Sequence, residues 1–472
     1  MPEFLQNTLI IVAVVMVFNF IIFFHELGHF WAARWRGLKI DRFQIWFGKP
    51  IWSKTINGVQ YGLGWIPAGG FVALPQMAPM EAIEGSNAEG EPLPPIKPID
   101  KIIVAFAGPL FSFLLAAMAA VAIWKVGKPN GLVPTTTIGW VQPDSAGAAA
   151  GLQRGDKILA INGNPIRNWD GRLDSVFLNV ITSRGKKIEF TVDRPGVGQL
   201  VKDSEFQIAE TSWWQRRATR DVGIEPIASG PVVVAEINGK NAPAEVAGLK
   251  PKDIVRTLNG EEIVSRKQAI YLIKQNGEKP IELGYERDGQ LATTTITPRI
   301  PISGAENPPR AMIGAAFDQE TEIDDSPAHP NPIEQITDTV KTMWITIVSV
   351  ISPDSSIGVQ HLSGPIGMGK FQFQLWLQDH PFERILGYLV LVNINLAILN
   401  MLPFPVLDGG HIVLATMEWI ARRPVRVKFL EVIQLAFVFL LLSVMVYVSS
   451  KDAFGDFQTG KKDKGKLEFP VK

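Results

Sequence analysis

The chain has 472 residues, with 46 Lys and Arg against 46 Asp and Glu, and no cysteine. The balanced charge gives no reason for bulk attraction to nucleic acid, and the missing thiols exclude disulfides, thiol catalysis and cysteine-ligated metals. At 46% hydrophobic and 19% charged residues, the composition is too apolar for an ordinary soluble enzyme and too charged for membrane spans alone. Membrane helices combined with water-facing domains are expected.

The first predicted element is an apolar segment, roughly Leu9 to Ala33. A spanning helix needs about 20 mostly apolar residues. The segment lacks a basic leader and a small-residue cleavage pattern, so it reads as an anchor rather than a removable leader. Near its end, Ile21 to Trp35 reads IIFFHELGHFWAARW. His25 and His29 are four apart and share one helix face, where two imidazoles can hold one zinc ion with Glu26 beside them as general base. Ionisable groups at membrane depth are costly and usually functional. Arg34, Arg36, Lys39, Arg42, Lys49 and Lys54 follow, and by the positive-inside rule this side is cytoplasmic.

In VQYGLGW, residues Val59, Tyr61, Leu63 and Trp65 alternate at strand period, and Gly62 and Gly64 fall on the other face. Those glycines would let a second backbone approach, so the strand is a candidate for strand addition by another extended chain. Pro79 to Asp100 reads as an acidic, proline-rich loop. A second apolar segment, Ile102 to Trp124, carries no charge.

The middle of the chain repeats itself. AGLQRGDKILAINGNPI, from Ala150 to Ile166, aligns with AGLKPKDIVRTLNGEEI, from Ala247 to Ile263, and each copy carries an Asn-Gly turn between short strands. A helical pattern follows each copy, in the second from Arg266. Lys252 replaces Gly155, so the two turns need not be identical. The pair resembles tandem PDZ domains over about Thr135 to Thr297. Further on, apolar residues at 333, 336, 340, 343, 347 and 351 share one face, and Glu334, Asp338 and Lys341 argue for a helix lying on the membrane rather than crossing it.

Third and fourth apolar segments run over roughly Ile385 to Leu402 and Val432 to Val448. Between them lie Arg422, Arg423, Arg426 and Lys428, a second basic cluster, and both clusters fall on one side if there are four spans. The third segment ends in NMLPFPVLDGGH. Pro403 and Pro405 must interrupt the helix, and the freed backbone can line a polar cavity. Asp408 is then the candidate third ligand, Gly409 and Gly410 permit close backbone approach, and His411 is a rival ligand. The tail KKDKGKLEFPVK reads as solvated.

HELGH in a first span and NMLPFPVLDGG in a later one resemble the site-2 protease family of intramembrane metalloproteases, and AGPL (Ala107 to Leu110) and LSGPIG (Leu362 to Gly367) are similar to that family's sequences. The resemblance implies a multi-span α-helical membrane protein with about four transmembrane helices, a membrane-associated β-hairpin region and two extracytoplasmic α+β PDZ domains. It assigns His25, His29 and Asp408 to Zn2+ and Glu26 to acid-base catalysis. Asn400 and Asn395 are candidates to hold the substrate backbone. Ser112 stands where the family often has an asparagine, and its hydroxyl could bond a substrate backbone.

The expected organisation is a first membrane part over 1–126 with a reentrant β region at 40–75, PDZ domains over 135–220 and 221–300, surface helices over 331–384, a second membrane part over 385–450 and a polar tail over 451–472. The resemblance places the chain in a bacterial cytoplasmic membrane, with the N-terminus, PDZ domains and C-terminus outside. It implies hydrolysis within transmembrane segments of single-span proteins such as anti-sigma factors, already trimmed by another protease, or of signal-peptide remnants. A PDZ scaffold without catalysis is the alternative, but it has no need of Glu26.

Overall fold

The structure is a computed structural model that describes residues 2–77, 96–211, 215–227, 230–302, 310–319, 323–422, 427–455 and 467–470. Most of the expected acidic loop, and Arg423 and Arg426 of the second basic cluster, lie outside these residues. The chain divides into two compact units. One comprises Met1–Pro129, Ser326–Trp344 and Ser363–Ser450, and the other Asn130–Asp325, Ile345–Leu362 and Lys451–Lys472.

Four helices in the described residues are long and apolar enough to cross a membrane. Helix α1 (Glu3–Arg36) continues past the ionisable trio and stops at Gly37, which takes the left-handed conformation at φ 73° and donates its N–H to the last carbonyls. Helix α2 (Pro98–Val126) starts with proline at its first turn, where no N–H is needed. Arg36, in the last turn of α1, pairs with Asp100 in the first turn of α2 at 2.7 Å. Each charge thereby sits at the helix end whose dipole it complements. Along the pair, Gly28 lies against the backbone carbonyl of Ala107, leaving no room for a side chain.

The amphipathic helix α3 (Pro332–Ile351) leaves Ile333, Trp344 and Ile351 exposed. Helix α4 (Pro365–Leu377) precedes α5 (Pro381–Asn400), whose Val390 and Ile394 pack on Ala116, Ala119, Ala120 and Ile123 of α2. The chain leaves helix over the two prolines and re-enters it as α6 (Asp408–Ala421), followed by α7 (Val427–Ser450). Large apolar side chains on α1 and α7 stay exposed, among them Met16, Phe20, Leu435 and Phe439. Apolar surface on this scale fits a hydrocarbon environment.

Strands β1 (Arg42–Ile56) and β2 (Val59–Ala73) turn at Asn57-Gly58, both at positive φ, and fold back on each other twice. Arg42 to Ile45 pair with Ala73 to Gly70 on one side and with Gln60 to Leu63 on the other, while Trp52 to Ile56 pair with Leu63 to Val59. The VQYGLGW strand is therefore interior to this small sheet, and Gly70 to Ala73 form an edge. Phe43 and Tyr61 pack against Phe30 of α1.

In the second unit, β3 (Ile138–Val141), β4 (Lys157–Ile161), β5 (Ile188–Arg194), β6 (Gly198–Ser204) and β7 (Ile224–Pro226) form the first repeat. The second uses β8 (Val232–Ile237), β9 (Ile254–Leu258), β10 (Ile281–Arg287), β11 (Gln290–Ile296) and β12 (Ala315–Gln319) in the order β11-β10-β9-β8-β12. The expected boundaries need correction, because each repeat closes with a strand beyond its expected end. β7 pairs with β3, and β12 pairs with β8. These strands are short and follow long connections, so local periodicity does not assign them. Both Asn-Gly turns have positive φ at both residues, and Lys252 adopts φ 76° where Gly155 has 92°, so the turn survives the substitution.

The same buried ion pair recurs in each repeat. Asp156 accepts from Arg194 at 2.7 Å and from the Gln153 N–H, and Asp253 accepts from Arg287 and from the Lys250 N–H, each at 2.7 Å. Both arginines also reach a loop carbonyl, that of Gly151 or Gly248. The expectation of a wholly solvated tail is also corrected. Leu467 and Phe469 are buried in the second repeat, Phe469 completely.

Candidate metal centre

Two helices bring the donor groups together. His25 and His29 project from one face of α1, and Asp408 opens α6 directly after the proline break. The Nε2 atoms of the two histidines are 3.3 Å apart, and they lie 3.3 and 3.4 Å from the two carboxylate oxygens of Asp408. Ligand atoms bound at about 2.1 Å around a tetrahedral ion are roughly 3.4 Å from one another. The buried N, N, O set thus fits zinc with one position left for water or substrate, and it is the one such group among the described residues.

A second layer fixes the rings. His29 Nδ1 lies 2.8 Å from the carbonyl of Val104, and His25 Nδ1 lies 3.0 Å from the Ser112 hydroxyl oxygen. A ring whose Nδ1–H is engaged this way presents the Nε2 lone pair to the metal. Both partners come from α2. So does Gly108, whose missing side chain is the space occupied by the imidazole of His29. On the other side, Gly409 and Gly410 lie against the carbonyls of Met401, Leu402 and Phe404, which lets the broken chain fold tightly enough to deliver Asp408.

Glu26 lines one cavity with His29, Asp408, His411, Val72 and Val104, and its carboxylate accepts the Val72 N–H. His411 is buried one turn beyond Asp408 and lines this cavity outside the ligand group. Asn400 joins the site, its side-chain nitrogen 3.4 Å from His25 Nε2. Asn395 lies on the same helix with a buried, unpartnered Oδ1. Ser112 is placed on a metal-ligand ring. Gly62 pairs with Gln44 on one side and Ser53 on the other, and Gly64 lies against the Phe47 carbonyl, so both glycines accommodate the chain's own sheet.

The Val104 carbonyl, the space at Gly108 and the edge at Gly70 to Ala73 are not legible in the sequence. A backbone acceptor has no sequence signature. The AGPL motif marks the neighbourhood of Gly108 but not its role.

An HExxH pair completed by an aspartate that follows a proline break defines the class, a membrane-associated metallopeptidase. Residues 13–444 match the profile of peptidase family M50, and the chain belongs to that family, the site-2 proteases. It is similar to a Neisseria meningitidis protein named "Putative zinc metalloprotease", with 31% identity covering 93% of this chain and 97% of the relative. It is also similar to the "Regulator of sigma-E protease RseP" of Salmonella typhimurium, at 25% identity over 88% of this chain and 91% of that one. The "Protease RseP" of Yersinia pestis matches at 26% over the same shares.

Proposed function

We propose that this protein is an intramembrane zinc endopeptidase that hydrolyses peptide bonds in the transmembrane segments of single-span proteins, anti-sigma factors among them, after a first cut outside the membrane. The observation that carries the reading is Glu26 in one cavity with two ligands of a zinc-shaped donor set, on a helix apolar enough to span. The protein lies in a bacterial cytoplasmic membrane with its repeats outside, as the basic residues after α1 support.

Zinc held by His25, His29 and Asp408 would supply Lewis acidity that makes water a nucleophile at neutral pH. Glu26 takes the proton of the attacking water and passes it to the leaving amine. The amide of Asn400 donates to the scissile carbonyl or to a neighbouring one. An unwound substrate lies along Gly70 to Ala73 as an added strand. Ala73 directs its carbonyl to Asp41 on the paired side, so alternation turns the polar groups of Gly70 and Val72 outward, as the Val72 N–H to Glu26 bond requires. A β-carbon at Gly70 would stand 3.6 Å from Glu26 Cγ, so this edge runs beside the catalytic carboxylate. The repeats, as PDZ domains, bind chain ends and admit trimmed substrates.

The test is cleavage of a labelled single-span substrate in detergent. Wild type should cut, and both Glu26→Gln and chelator-treated wild type should lose activity by at least about a thousandfold. Equal cleavage by Glu26→Gln would remove the assignment, and a folded, zinc-loaded protein that cuts no single-span substrate would favour the scaffold.

A further inference from the structure

We infer that residues 467–470 are a built-in strand ligand of the second repeat, which carries a dedicated socket for an extended apolar–acidic–Phe–Pro segment supplied by the same chain. This goes beyond the protease reading and uses none of its residues.

The segment docks mainly through backbone bonds. The Lys240 N–H donates to the Leu467 carbonyl at 2.8 Å, and the Phe469 N–H donates to the Lys240 carbonyl at 3.1 Å, a parallel bridge. From the opposite side the Ile302 N–H donates to the Glu468 carbonyl at 2.7 Å, and the Arg299 guanidinium donates to the Pro470 carbonyl at 2.8 Å. The two apolar side chains then fill a pocket with Ala242, Ile237 and Met312. Phe469 has no exposed surface.

The socket is shaped for its occupant. A β-carbon at Gly239, which has φ +116°, would come within 2.9 Å of both Leu467 and Phe469. At Gly314, with φ +70°, it would reach 3.0 Å from the Phe469 ring. Both glycines are needed for the backbone conformation and for the space. Gly314 directly precedes β12, an edge strand of the repeat's sheet, so the docked end also braces the loop that leads into a strand-addition edge. Tethering supplies an effective concentration on the order of millimolar. The segment can therefore bind weakly in its own right, stay docked in the intact chain, and still be displaceable.

The experiment compares the full chain with a form ending at Gly455, both in detergent, using a fluorescent peptide of the sequence KKDKGKLEFPVK. The truncated chain should bind this peptide saturably, the Phe469→Asp peptide should not bind, and the full chain should show no binding well below the millimolar range. Amide exchange at Lys240 and Ile302 should quicken about tenfold or more on truncation and be restored by the peptide. Should truncation unfold the repeat, the full-length Leu467→Ala/Phe469→Ala variant must show the same quickened exchange. Unchanged exchange in that variant, or equal peptide binding by full and truncated chains, would overturn the assignment. Protection at Lys240 and Ile302 that falls on dilution would show that the tail of a second copy fills the socket, which also overturns it.

Discussion

Ser112 and Glu26 both lie beside the candidate ligands, Ser112 on the His25 ring and Glu26 in the cavity with His29, yet physical chemistry separates their effects. Ser112 holds the His25 ring through Nδ1, so Ser112→Ala should weaken zinc binding by about 10- to 100-fold, as loss of such outer partners does at other metal sites. Glu26 is no member of the ligand group, so Glu26→Gln should hold zinc like wild type while cleavage disappears. Competition with a chromophoric chelator distinguishes the two, and equal zinc affinity in Ser112→Ala would assign its hydroxyl to substrate rather than to the ring. The ligands themselves were legible in the sequence because HExxH fixes a helical spacing and because charged side chains are rare in an apolar run. Ser112 was found as a position but not for its contact, since which partner a hydroxyl meets depends on how α2 packs on α1.

Among the elements, the β1–β2 sheet sets the sharpest contrast. At Gly62 a β-carbon would meet its neighbours at 3.5 Å or more, an ordinary contact, whereas at Gly64 it would run into the Phe47 carbonyl. Gly62→Ala should therefore keep most activity. Gly64→Ala should distort the sheet, displace the Gly70 edge and lower cleavage by tenfold or more with zinc retained, as assayed on the single-span substrate. Similar activity in both variants would detach this sheet from substrate binding. The alternation of VQYGLGW was enough to predict a strand, but not its neighbours. Pairing is a long-range choice, and here the strand took two partners from its own hairpin. The proline break was easier to read, since α5 ends at Asn400 and α6 starts at Asp408 around Pro403 and Pro405, residues that cannot continue a helix.

At the scale of the molecule, the Asp253–Arg287 pair bears on acid stability. Burial alone would raise the Asp253 carboxyl, but the Arg287 hydrogen bonds and the Lys250 N–H outweigh it and hold the group below its ordinary 3.8. A depressed carboxylate contributes stability that is fully present above 3.8 and is lost as pH falls through the folded-state value. The second repeat should therefore melt at lower temperature below about pH 4, and Asp253→Asn should flatten that dependence, as calorimetry of the two forms would show. An unchanged slope would remove Asp253 from the acid response. Repeated Asp residues were visible in the aligned copies, whereas their arginines lie far downstream in sequence. The buried tail was the least legible feature, because four residues beside a lysine-rich stretch show no periodicity, and their burial depends on a socket assembled from residues 237–242, 299–302 and 312–314.

The metal centre has one further consequence. His25 and Asp408 belong to the two ends of a chain interrupted by both repeats, yet they meet at 3.3 Å. An ion held between them would close a loop that contains both repeats, and its binding energy would then also be cohesion between the two halves of the membrane domain. The cofactor of such a protein would act as a rivet as well as a reagent. Two separately expressed fragments, divided between the repeats, should associate more firmly with zinc than without it.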